Sequence, residues 1–213
     1  MSSGPVDITF DERMRRGGDA AVREACRFFM RDDKVYDSLR RIAKRLTEPR
    51  VPYAVAGGMA LVAHGYDRTT DDVYIIVRQD GLDRIHAELE GLGYVRPFSG
   101  SKQLKDTTSS VRIEFPVTGQ FPGDGKPKPI AFPDPTHAAV EVEGINYVRL
   151  TTLLELKLAS GMTNTGRLRD LADVQDLIRA LKLPRSFVDQ LDPYVRSQFL
   201  SLWDAITPES DQR

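Results

Sequence analysis

The residues best placed to do chemistry lie between Ala54 and Val77, which read AVAGGMALVAHGYDRTTDDVYIIV. A short apolar strand ends on Gly57 and Gly58, a helix follows through MALVAHG, and a second strand then begins with acidic residues. A glycine turn lets backbone N–H groups approach phosphate oxygens, and the helix N-terminus behind it favours negative charge. Strand alternation sends Asp72 and Tyr74 to one face of the second strand and Asp71 to the other. Two carboxylates spaced i and i+2 on a strand can bridge a pair of divalent ions in a phosphoryl displacement, and a third on a neighbouring strand completes the set. Here the first position holds Asp72, the second holds Tyr74, and Glu114 in SVRIEF is the candidate third. Arg112 shares the face of Glu114 and is placed to satisfy it.

The elements that must position these groups follow from periodicity. Val35, Leu39, Ile42, Ala43 and Leu46 recur at helical spacing, so a helix capped by Asp32 or Asp33 is expected to run to about Leu46, after another over 20–29. A helix is expected over Leu82–Leu92, ended by Gly93. The stretch from Val117 to Pro135 is dense in proline and glycine and reads as a long loop. A hairpin should turn at Glu143 and Gly144, and Thr152 with Glu155 forms a capping box for the helix carrying LLELKLAS. Leu171, Val174, Ile178 and Leu181 stripe a helix over 167–181, and Asp192 with Pro193 starts a last one bearing Val195, Phe199 and Trp203. These elements predict an α/β fold: a mixed sheet of about four or five strands flanked by helices, with a helical C-terminal part. Residues 1–20 read as a weakly ordered arm, 21–150 as the α/β core, and 151–213 as helices closing the cleft.

This stretch resembles the DNA-polymerase-β-like nucleotidyltransferase superfamily, and within it the AbiEii-like toxin nucleotidyltransferases. The resemblance spans roughly Val51 to Leu181. It rests on Gly57 and Gly58, on RTTDDVY in place of the pattern R-x-T-x-D-hydrophobic-D, and on Glu114. It implies magnesium held by Asp72 and Glu114, with Tyr74 at the second ligand position. It also implies transfer of a nucleoside monophosphate from an NTP to a hydroxyl of RNA or protein. Further on, ELKLASGMTNTGRLRDLADVQDLI looks like a lysine-bearing helix followed by R-x-[KR]-D-x-x-D. Carried over, Lys157 would contact nucleotide phosphates with support from Arg167 and Arg169, Asp170 and Asp173 would orient the basic or attacking groups, and Arg68 would serve in part structurally. A phenol titrates near pH ~10 and is a poor ligand for a hard ion, so a site carrying Tyr74 should bind its ions badly. Three readings stay open: a transferase impaired at Tyr74, a nucleotide- or partner-binding pseudoenzyme, and an antitoxin-like transferase acting on a partner toxin.

Composition narrows the classes. Thirty Lys and Arg face thirty-one Asp and Glu, so overall charge carries no polyanion-binding signal and any nucleic-acid contact must be local. A single cysteine, Cys26, excludes an internal disulfide and, with the absence of a secretory or membrane-spanning pattern, points to the cytoplasm. His64, His86 and His137 lack metal-ligand spacing. PGDGKPK lacks the glycine spacing and the Ser or Thr of a phosphate loop, leaving Lys126 and Lys128 as loop cations.

Overall fold

The computed structural model describes residues 34–206 apart from positions 49 and 67. The N-terminal arm, the helix expected over 20–29, the caps at Asp32 and Asp33, and Cys26 lie outside the described residues. The first described helix, α1 (Lys34–Thr47), buries Val35, Leu39, Ile42, Ala43 and Leu46, the stripe that its spacing predicts. No described helix is long and apolar enough to cross a membrane.

A mixed sheet forms the centre. Strands β1 (Tyr53–Ala56), β2 (Asp72–Val77), β3 (Tyr94–Val95), β4 (Gln103–Asp106), β5 (Arg112–Glu114), β6 (Ala139–Val142) and β7 (Ile145–Val148) are ordered β3-β4-β5-β2-β1-β7-β6. β1 runs antiparallel to β2 and parallel to β7, and β2 runs parallel to β5. Every residue of β1 is buried, as a central strand requires. The sheet thus has seven strands rather than four or five. The two that periodicity missed are β3, only two residues long, and β4, short and largely polar; they exist through pairing with each other and, for β4, with β5.

Helix α2 (Gly57–Ala63) follows β1 directly, with Gly57 as its first residue and no separate turn. Helix α3 (Gln79–Leu89) begins earlier than expected, where Gln79 bonds Asp83 across one turn (2.9 Å), and it ends before Gly91 rather than at Gly93. A one-turn helix α4 (Pro135–Ala138) is capped by Asp134, which accepts from the Thr136 amide. The β6–β7 hairpin turns where expected, with positive φ at both Glu143 and Gly144, as a type I′ turn demands.

The C-terminal part is helical: α5 (Leu150–Thr163), α6 (Leu168–Leu181) and α7 (Pro193–Ile206) pack on one another. The expected capping box is absent. α5 starts at Leu150, two residues before Thr152, and Glu155 instead accepts from the Asp192 amide (2.8 Å), tying α5 to the start of α7. A single 3-10 turn at Thr165–Arg167 precedes α6, so that helix begins one residue later than its pattern suggests. On α7, Val195, Phe199 and Trp203 are buried, and the Trp203 indole donates to the Leu183 carbonyl (2.9 Å).

Register fixes which face does chemistry. Lys105 of β4 pairs with Arg112 of β5, and Arg112 with Asp72 of β2, so these three share a face while Asp106 points to the other, where α1 packs. There Asp106 accepts from Ser38 (2.9 Å) and from Arg41 (2.6 Å) and is almost fully buried. Burial alone would push its carboxyl up, but the donors from Arg41, Ser38 and the Thr108 amide outweigh it and hold the pKa down at about 2. A depressed carboxylate contributes stability that is complete above its unfolded value, near ~3.9, and is lost as pH falls through the folded value. Asp106→Asn should therefore lower the melting temperature near neutral pH by several degrees, from about 1–3 kcal/mol lost at roughly 2–4 °C per kcal/mol. The gap from the parent should close as thermal melts are repeated at pH values falling from about 4 towards 2.

Candidate active site

β1 delivers the chain to the site. Its last residue, Ala56, lies opposite Tyr74, and Gly57 follows with φ +66°, a conformation in the left-handed region. A Cβ on Gly57 would lie 3.2 Å from the Tyr74 ring, and one on Gly58 would lie 2.7 Å from the Cβ of Thr70. Both glycines are thus demanded by the close approach of the segment that starts β2. The cleft they border has a volume of about 290 Å³. Gly57, Gly58, Thr70, Asp72 and Tyr74 line one side, and Leu153, Leu156, Lys157, Ser160, Arg167 and Asp170 line the other. Pro116, Pro122, Gly123 and Phe132 contribute a third wall from the proline- and glycine-rich loop. Asn164 donates to the Gly123 carbonyl (3.2 Å), and Lys128 bonds Pro122 O (2.7 Å) and Asp124 (2.6 Å), so this lysine braces its own loop.

On the sheet side, the parallel pairing of β2 with β5 sets Asp72 opposite Arg112 and Tyr74 opposite Glu114. Arg112 reaches both acids: its Nη2 lies 3.0 Å from Asp72 Oδ2 and its Nε 3.2 Å from Glu114 Oε1. The Thr70 hydroxyl adds a second donor to Asp72 (3.2 Å). Tyr74 is pushed up to about 12, by burial first, then by the charges of Glu114 and Asp72 and by its own hydrogen bond to Glu114, with Arg167 opposing. Near neutrality it is an uncharged O–H donor to Glu114. Asp71 is exposed and does not line the cleft.

This donor set does not fit a pair of magnesium ions. A hard divalent cation takes mostly anionic and water oxygens in a near-octahedral shell. Here Asp72 and Glu114 are each already engaged by a guanidinium, and the group between them donates a proton rather than a lone pair. Among the described residues no three His, Cys, Asp or Glu side chains converge in a way that could hold a metal.

The helical side holds a buried ion network. Lys157 Nζ lies 2.9 Å from Asp170 Oδ1 and 2.7 Å from Asp173 Oδ2. Asp173 also takes Arg68 Nη1 (2.7 Å), and Asp170 takes the Ser160 hydroxyl (2.7 Å). One turn on, Asp176 accepts from Tyr66 (2.6 Å). Burial first, then the Asp176 hydrogen bond and charge, push that phenol up to about 12. The Arg68 Nε is buried without a partner.

The structure therefore brings Gly57, Gly58, Arg68, Asp72, Tyr74, Lys157, Arg167 and Asp170 to one cleft, with Glu114 and Asp173 directly behind its walls. It leaves Arg169 exposed outside the cleft. Ser160 and Tyr66 were missed in the sequence. Ser160 lies three residues after Lys157 on the same helical face, which was a usable signal; nothing local announces Tyr66. The histidines stay apart from the site: His64 bonds the Val148 carbonyl (2.7 Å), and His86 is half-buried on α3.

No family model matches the chain, and no curated protein matches it by sequence. Solved structures do. It is similar to ANT(2'')-Ia in complex with adenylyl-2''-tobramycin, with a TM-score of 0.51 and 11% identity, covering 78% of this chain and 97% of that one. It is also similar to the solution structure of the antibiotic-resistance factor ANT(2'')-Ia, with a TM-score of 0.52 and 13% identity over 82% and 96% of the two chains. The chain has a nucleotidyltransferase fold. At these identities the likeness is one of fold alone.

The ion network makes Lys157 a structural residue whatever else it does. Lys157→Met leaves Asp173 buried with a single cationic partner and Asp170 with only a hydroxyl, and a broken buried pair costs about 3–5 kcal/mol. Urea unfolding should show a loss of that order, with the slope of the transition unchanged.

Proposed function

We propose that the cleft binds a nucleoside triphosphate, and that the chemistry this architecture serves is transfer of a nucleoside monophosphate to a hydroxyl of RNA or protein, held down here by Tyr74. One observation carries the reading: Asp72, Tyr74 and Glu114 share one sheet face beside the Gly57–Gly58 pair, with Arg167 and Lys157 across the cleft. ANT(2'')-Ia, with the same fold, is seen with an adenylylated molecule, adenylyl-2''-tobramycin, which supports a nucleotide-handling role for the fold.

In this reading the backbone at Gly57 and Gly58 admits the triphosphate where a side chain would block it, and Arg167 and the outer face of Lys157 meet its charge. Asp170, oriented by Lys157 and Ser160, is the carboxylate placed to accept a proton from an incoming hydroxyl. The helical part of the C-terminal stretch 151–213, described as far as Ile206, closes one side of the cleft. The AbiEii-like grouping, and with it a toxin or antitoxin role, belongs to the proposal and is supported by the order Arg167, Arg169, Asp170, Asp173 after Lys157.

A second reading is favoured by one observation, the Arg112 guanidinium set on both acids. In it the chain keeps the fold, binds nucleotide or a partner, and performs no transfer. The two readings separate in one assay. Each α-labelled NTP, with magnesium, is incubated with total RNA and total protein and either this chain or its Tyr74→Asp form. The first reading expects label to appear with Tyr74→Asp at least about tenfold above the parent, the size of a barrier change of roughly 1.4 kcal/mol. No label in either would sink transfer and leave the non-catalytic reading.

A further inference from the structure

We propose that Arg112 is a built-in cation standing where the chemistry of this fold calls for a divalent ion, and that it closes the Asp72–Glu114 pair to metal. The proposal rests on reading the cleft as a nucleotidyltransferase site and adds to it how that site is charged.

Strand register puts Arg112 within reach of both acids. Arg112 sits opposite Asp72 on the neighbouring parallel strand and two residues before Glu114 on its own, so one side chain faces both acids without leaving the sheet surface. The contacts use different nitrogens, Nη2 to Asp72 and Nε to Glu114. A planar guanidinium can hold two carboxylates at once in this way and stays charged at any pH the fold survives. The Asp72 and Glu114 side chains are only 17% and 21% exposed while that of Arg112 is 54% exposed, so the cation caps the pair from the solvent side, across the route an ion would take.

Tyr74 completes the arrangement. With an acid at position 74, three anions would face one guanidinium, and a divalent ion would relieve the excess. The phenol leaves two anions, adds a donor to Glu114, and brings the local charge close to balance with the single Arg112 and the nearby Arg167. A metal ion entering now would have to displace Arg112 and then lie beside both arginines. Arg112 and Tyr74 therefore act as a set, each removing part of what an ion would gain.

The test is Mn2+ binding, read as the loss of the free-ion electron paramagnetic resonance signal, on the full chain without nucleotide. Three proteins are compared: the parent, Arg112→Gln, and Tyr74→Asp combined with Arg112→Gln, each checked for an unchanged circular dichroism spectrum. The parent is expected to leave Mn2+ free into the millimolar range. Arg112→Gln should bind one ion at least about tenfold more tightly, and the double variant more tightly still. Parent and Arg112→Gln binding Mn2+ alike would overturn the role of Arg112. A double variant that binds no ion would overturn the reading of the cleft itself, and the proposal with it, and is told apart because it fails with the guanidinium gone and the acid restored.

Discussion

The buried charge of Lys157 is the constraint on which the rest of the molecule depends. An ammonium at 6% exposure is tolerable only if it is paired, and its partners Asp170 and Asp173 are themselves buried or nearly so. Asp173 in turn needs Arg68, which lies in the segment leading into β2. One chain of ion pairs thus ties α5, α6 and the start of β2 together, fixing the helical part of the protein against the sheet and setting the width of the cleft. Ser160 completes Asp170, and Tyr66 completes Asp176, so the helical wall is held by directional bonds as well as by the apolar contacts of Leu153, Leu154 and Val174.

Across the cleft the same logic runs with less burial. Asp72 and Glu114 are held by Arg112, Thr70 and Tyr74, and the anions of the site are matched by cations of the protein itself: Arg68, Arg112, Lys157 and Arg167 against Asp72, Glu114, Asp170 and Asp173. A site so balanced has little need of an added ion. In the proposed reading, a nucleotide arriving there would be met by the two exposed arginines, Arg112 and Arg167, rather than by metal. In that reading Tyr74, at a position where the resemblance implies an acid, bears on more than one ligand; it sets the charge state in which the whole cleft is at rest.

The site was legible in the sequence to the extent that it is local. Alternation along β2 put Asp72 and Tyr74 on one face, the glycine pair marked a close backbone approach, and the i, i+3 spacing of Asp170 and Asp173 placed them on one side of α6. The remaining features depend on contacts between distant segments. Arg112 could be placed beside Glu114, but its bond to Asp72 follows from β2 and β5 pairing parallel in one register. Strand β3 is only two residues long, and β4 carries no apolar alternation because its inward residues include Asp106, whose partners lie on α1. Thr152 and Glu155 have the spacing of a capping box, yet Glu155 is drawn to the Asp192 amide, a tertiary demand that overrides the local motif.

In the proposed reading the cleft takes a nucleotide on the protein's own cations, Arg167 foremost. Calorimetric titration of a non-hydrolysable nucleoside triphosphate, once with a metal chelator and once with magnesium, tests it most directly. Binding is expected in both, with dissociation constants that differ by no more than about threefold. Binding that appears only with magnesium, or no binding in either, would contradict it.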